Sequence, residues 1–160
     1  MRHPRGAWAS LRLLLAADGT DVLVAADESI RKAEDPLRVA AAGSADVVVV
    51  KVAPLGGVPA ALEVAAACGL PVVVSSALDT SVGIAAGVAL AAALPSLPFA
   101  CGLGTVGLFE HDVTSTPLRP RGGSLPAAAT VDPDRLDEVA APPDRRDWWL
   151  DRLARCWALL

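Results

Sequence analysis

The chain reads as an α/β protein, a partial (β/α) barrel of about four parallel strands with covering helices. Three observations predict this. First, apolar runs of strand length recur at 22–27, 46–52, 71–76 and 97–102. Second, each interval between them holds a helix-compatible stretch, the rhythm of repeated β/α units. Third, polar residues close the runs: Asp27, then Lys51, then Ser75 and Ser76. Lys51 falls 24 residues after Asp27, Ser75 falls 24 after Lys51, and Cys101 comes 26 later. Chemistry at the carboxyl ends of strands is the arrangement of α/β barrels and open α/β sheets.

Residues 9–17 read as the end of a helix stopped near Gly19, and 22–27 as a strand. Residues 34–42 give a short helix ended by Gly43. Asp46 to Val52 is a strand whose four consecutive valines suit burial on both faces. Pro54-Leu55-Gly56-Gly57 is a loop. Residues 58–68 form a helix with Leu62, Val64 and Ala65 inward, closed by Gly69. Residues 71–76 are a strand. Thr80 or Ser81 caps a helix running to Leu94, and Leu97 to Gly102 is the last strand. This barrel part is assigned to residues 1–108 and an extended arm with a terminal helix to 109–160. His111 to Pro143 is rich in Pro, Gly and Asp, and 118–125 fits a hairpin or an extended arm. In the terminal helix Trp149, Leu153 and Trp157 share one face. The reading preferred is that this face docks on the domain, with a partner surface as the alternative.

Composition narrows the function. With 160 residues the chain suffices for one domain with a core. A full (β/α)8 barrel takes about 200 or more. Hydrophobic content is 53% and mean hydropathy is +0.45, which excludes a disordered chain. A net charge of −4 gives no case for nucleic acid or an anionic membrane as partner. Cys68, Cys101 and Cys156 form no CxxC pair, which argues against a disulfide framework or zinc and for a cytoplasmic setting. The basic start, Met1 to Arg5, makes a poor signal peptide, because the apolar stretch after it carries Arg12 and runs into Asp18 and Asp21.

Lys51 is the most informative residue. It is one of two lysines, and a lysine ending a valine strand is costly to bury. Such a lysine serves proton transfer or Schiff-base chemistry. The bland alternative is an ammonium that reaches water past the strand end.

Three motifs in order carry a family resemblance: Ala26-Asp27-Glu28-Ser29-Ile30-Arg31, Val49-Val50-Lys51-Val52-Ala53-Pro54-Leu55-Gly56-Gly57, and Ser75-Ser76-Ala77-Leu78-Asp79-Thr80-Ser81-Val82-Gly83. They resemble successive strand ends of the o-succinylbenzoate synthase family, the menaquinone-pathway branch of the enolase superfamily, in its actinobacterial form. The resemblance covers about residues 9 to 157. It implies the fifth to eighth strands of a barrel that also has a capping domain. It implies a dehydration giving o-succinylbenzoate from 2-succinyl-6-hydroxy-2,4-cyclohexadiene-1-carboxylate, by proton removal α to a carboxylate and an enediolate stabilised by Mg²⁺ and an ammonium. By the same resemblance Asp27 is one of three metal carboxylates and Lys51 the strand-six lysine. Ser75 and Ser76 belong to the loop that holds a substrate carboxylate, and Gly102 and Gly104 to the eighth-strand loop.

The departure is large. The family's strand-two lysine pair and its other two metal carboxylates have no counterpart in this chain. One carboxylate holds Mg²⁺ weakly, so the chain alone is expected to be inactive. A truncated product, a split-enzyme half and a wrong start site all fit, as does an inert remnant. Two copies, or a complementing N-terminal half, would cover the open strand edges.

The rivals are a Schiff-base aldolase using Lys51 and an N-acylamino acid racemase of the same superfamily. A mandelate-racemase-like site wants a strand-seven histidine, and His3 and His111 read as solvent or loop residues. Gly56-Gly57 is explained by a tight turn, Asp79 by helix capping, and Cys101 as a small buried residue.

Overall fold

The computed structural model describes residues 5–32 and 34–159. His3 and the other residues of the basic start before Arg5 lie outside them. The chain opens with helix α1, Arg5–Ala17. Three β/α units come next: β1 (Ala25–Ala26) with α2 (Asp35–Ala41), β2 (Val47–Val50) with α3 (Val58–Cys68), and β3 (Val72–Val74) with α4 (Ser81–Ala93). The strands form one parallel sheet in the order β1-β2-β3. Two helices end the chain, α5 (Pro133–Glu138) and α6 (Pro143–Trp157).

The two faces of the sheet differ, and the register says why. Val48 pairs with Val72 and Val50 with Val74. Alternation along a strand therefore puts these four valines on one face. All four are buried in the core cluster, together with Ala61, Ala65 and Cys68 of α3 and Ile84, Leu90 and Ala91 of α4. Burial of each valine contributes about 1.5–3 kcal/mol. Helices α2 and α3 pack together, as do α3 and α4. The opposite face carries Val47, which is buried, and Val49 and Val73, both only partly buried toward the carboxyl edge. Parity continues that face to Asp27, Lys51 and Ser75 just past the strand ends.

The helices end where the sequence dictates. Gly57 (φ 108°) precedes α3, and Pro59 in its first turn lacks a donor the helix does not need there. Gly69 (φ 68°) closes it in the left-handed conformation. Helix α4 is apolar almost all round and relies on close packing. A Cβ at Gly87 would stand 2.6 Å from Leu103 Cδ2, so only glycine lets that segment lie this close.

Several expectations need correction. The sheet has three strands among the described residues, not four. The run Leu97 to Gly102 contributes one bridge, Gly102 beside Ser75, because Pro98 removes a ladder donor and the segment is exposed up to Ala100. The run 22–27 pairs only at Ala25 and Ala26, and Val22 and Leu23 stay exposed at the sheet's outer edge. In α3 the fully buried positions are Ala61, Ala65 and Cys68. Leu62 and Val64 lie at the margin, since small residues let the helix approach the sheet. Residues 53–55 form a 3₁₀ turn within what reads as a loop. Thr80 holds the N-cap position of α4, but its side chain makes no capping bond. Residues 118–125 hold one tight turn, with Arg121 and Ser124 bridged across Gly122 and Gly123, both at positive φ. Finally, α6 does not dock: none of its residues is buried, and Trp149, Leu153 and Trp157 are 55%, 63% and 73% exposed.

Candidate functional site

Lys51 comes directly after β2 and its side chain is 18% exposed. Its ammonium contacts Asp27 Oδ1 across the strand ends and stands 4.0 Å from Glu28 Oε1. The valine strand holds the Lys51 backbone while the uncovered face leaves room for the side chain. Glu28 is shared: its other oxygen accepts from Arg31 at 2.9 Å.

The second group centres on the Gly102 carbonyl. It accepts from the Ser76 amide at 3.0 Å, from Ser76 Oγ at 3.0 Å and from Ser75 Oγ at 3.2 Å. Three donors converge on an oxygen with two lone pairs. The longest contact belongs to Ser75, whose hydroxyl also lies 3.5 Å from the Ser76 carbonyl. A Cβ on Gly102 would meet Ser75 Oγ at 2.9 Å, so a side chain there would push the Ser75 hydroxyl off the Gly102 carbonyl. Ser75 N donates to the Val50 carbonyl at 2.9 Å, so Ser75 sits beside Lys51 in the ladder.

Sequence reasoning missed Thr105. Its hydroxyl donates to Ser76 Oγ at 2.8 Å and accepts from the Asp79 amide at 3.2 Å. Asp79 accepts in turn from the Ala77 amide at 2.9 Å, within the turn before α4. This turn holds Leu78 at φ 76°, the one non-glycine residue at positive φ among those described, with its side chain 55% exposed. Gly104 precedes the 3₁₀ turn Thr105–Leu108 and a Cβ on it would touch the Pro120 ring at 3.6 Å. Gly104 is exposed and bonds to neither Lys51 nor the serines.

Asp112 was also missed, because it lies in a segment whose composition reads as loop. It is 4% exposed. It accepts from the Ser81 amide at 3.1 Å, from the Ser81 hydroxyl and from the Val113 amide at 2.9 Å. Ser81 Oγ accepts from the Leu118 amide at 2.8 Å. A buried carboxylate at the start of α4 complements the helix dipole and ties residues 112–118 to the turn that carries Asp79. His111 is an exposed loop residue, as the sequence suggests.

The residues present do not fit a divalent metal. No group of three metal-ligating side chains occurs among the described residues, and the lysine cation already contacts Asp27. Mg²⁺ wants octahedral oxygen coordination. The chain offers one strand-end carboxylate on the open face.

A three-stranded parallel sheet with helices on one face, and a lysine and a carboxylate at its carboxyl edge, is an open α/β arrangement built from β/α units. The sequence profile described as "Enolase C-terminal domain-like" matches residues 3–133, and the chain belongs to that family. It is similar to o-succinylbenzoate synthase of Mycobacterium tuberculosis (strain ATCC 25618 / H37Rv), at 61% identity over 141 residues, 88% of this chain and 43% of that protein. The synthase of Mycobacterium ulcerans (strain Agy99) is 58% identical over 140 residues, again 88% and 43%. Among solved structures, muconate lactonizing enzyme from Pseudomonas putida superposes with a TM-score of 0.72 at 28% identity, over 86% of this chain and 39% of that one. The chain thus spans less than half the length of the curated relatives it matches.

Proposed function

We propose that this chain carries the Lys51 side of an o-succinylbenzoate synthase-like site, a carbon–oxygen lyase acting on 2-succinyl-6-hydroxy-2,4-cyclohexadiene-1-carboxylate. One observation carries the reading. In a chain 61% identical to a curated o-succinylbenzoate synthase, the lysine of the motif stands at the carboxyl edge of the sheet on its uncovered face.

The chemistry follows from charge. Removing a proton α to a carboxylate leaves an enediolate. An ammonium at 4 Å from the new charge is worth about 4 kcal/mol at an effective dielectric constant of 20. Lys51 supplies that ammonium from a rigid strand end. Ser75 holds the weakest of the three bonds to Gly102, so its hydroxyl is the one released toward a ligand carboxylate. Ser76, buried and braced by Thr105, fixes the loop. Gly102 permits the close approach, and Gly104 shapes the loop after it. This chain offers no second strand-end lysine to act as base: Lys32 lies on an exposed bend. A polypeptide segment matching the remaining length of the relatives supplies the base and the other metal carboxylates, and the Mg²⁺ dependence of the reaction belongs to that assembled site.

The test is ultraviolet detection of o-succinylbenzoate with Mg²⁺. The chain alone should be inactive, and mixing it with the remaining segment of a relative should give product. Lys51→Ala should lower that activity by about 100-fold or more. Product from the folded chain alone, or full activity of Lys51→Ala in the mixture, overturns the proposal.

A further inference from the structure

We infer that the Lys51 ammonium acts as an internal substitute cation, occupying Asp27 so that this chain is closed to a divalent metal until the ion pair opens. The inference deepens the proposed roles of Asp27 and Lys51 and rests on them. Three observations support it. Lys51 Nζ contacts Asp27 Oδ1 directly. The neighbouring carboxylate is also engaged by cations, with Glu28 Oε1 4.0 Å from Lys51 and Glu28 Oε2 2.9 Å from Arg31. Lys51 is the less exposed member of the pair, at 18% against 44% for Asp27, so the lysine side chain is the more enclosed of the two and the carboxylate the more open to solvent.

A metal ion bound to Asp27 Oδ2 would sit a few ångströms from the ammonium, and the repulsion between a double and a single positive charge at that range exceeds the thermal energy even in water. Metal and lysine therefore compete for Asp27. Opening the pair leaves the lysine facing the open side of the sheet, where an anionic ligand can take it. In an assembled site, further carboxylates would tip that competition toward the metal. In the chain alone nothing does.

The experiment uses Mn²⁺ as probe and reads the free-ion electron paramagnetic resonance signal, so it reports metal occupancy and is indifferent to whether the chain catalyses anything. The wild-type 160-residue chain should leave the signal undiminished at millimolar Mn²⁺. Lys51→Met should bind at least about tenfold more tightly than wild type, as expected for removal of a competing cation. Adding Asp27→Asn to that variant should abolish the gain. Lys51→Gln serves if Lys51→Met fails to fold, as judged by circular dichroism. A measurement on the wild type alone covers failure of both. The Lys51 ammonium nitrogen resonance should keep its width under Mn²⁺ concentrations that leave exposed Lys32 unbroadened. Selective broadening of Lys51 would mean metal and ammonium share the carboxylate, which overturns the inference. So would equal Mn²⁺ affinity of wild type and Lys51→Met.

Discussion

A lysine after four valines announces itself, because the strand around it is legible from β-branched runs alone and a cation there must have a reason. Its partner was less legible. That Asp27 lies on the same face emerges only once Ala25 pairs with Val47, a register no single strand specifies. The same limit hid the pairing of Arg12 with Asp46. Asp46 accepts from Arg12 Nε at 3.0 Å and from the Val24 amide at 2.9 Å. The Arg12 hydrogen bond, then the Val24 amide and the Arg12 charge, hold the Asp46 carboxyl below its ordinary value against the opposing effect of desolvation. A carboxyl lowered in the folded state adds stability that is fully present above its unfolded pKa of about 3.9 and is lost as pH falls through the folded value. Asp46→Asn should therefore be less stable than the wild type at neutral pH and less sensitive to acid below about pH 4. Urea melts across that range would show it, and parallel pH profiles for the two proteins would refute it.

At the level of elements, the periodicity of α3 and α4 was readable and the way α4 is anchored was not. Ser81 looks like a capping residue, yet its hydroxyl is buried between Asp112 and the Leu118 amide. The partner lies 31 residues on, in a stretch whose Pro and Gly content conceals one buried carboxylate. Asp112→Ala would strand the Ser81 amide and hydroxyl and should cost about 2–4 kcal/mol. Asp112→Asn keeps an acceptor and should cost less. Chemical denaturation measures both, and a neutral Asp112→Ala would show that the 112–118 segment is not held by this network. Helix α6 teaches the converse. Its amphipathic pattern reads as a docking face, yet none of its residues is buried against the rest of the described chain.

The whole molecule is an open sheet. Strand β1 has no neighbour on its outer side among the described residues, Val22 and Leu23 flank it exposed, and Leu13 and Leu14 of α1 are 72% and 68% exposed. Edges and apolar surfaces of this kind invite pairing. Sedimentation velocity should find concentration-dependent self-association, weakened by removing residues 142–160 with their exposed tryptophans. The proposed complementing segment should suppress it by covering the same edge. A chain that stays monomeric at high concentration, with and without that tail, would show the open edge to be self-sufficient. The sequence carried the β/α rhythm that makes this half of the architecture recognisable, whereas the exposure of its flanks depends on what lies beside it.

The position of α6 also decides what light can report. The chain has four tryptophans and no tyrosine, and Trp148, Trp149 and Trp157 all stand on this exposed helix. Trp148 and Trp149 meet edge to face at 4.7 Å between ring centres, and Arg145 and Arg152 lie over the Trp148 ring at 5.6 and 5.7 Å. Intrinsic emission therefore originates mainly outside the valine core. A fluorescence melt would track the fraying of one surface helix and pass over the collapse of the sheet, while a blue shift on mixing would mark the moment that helix finds cover.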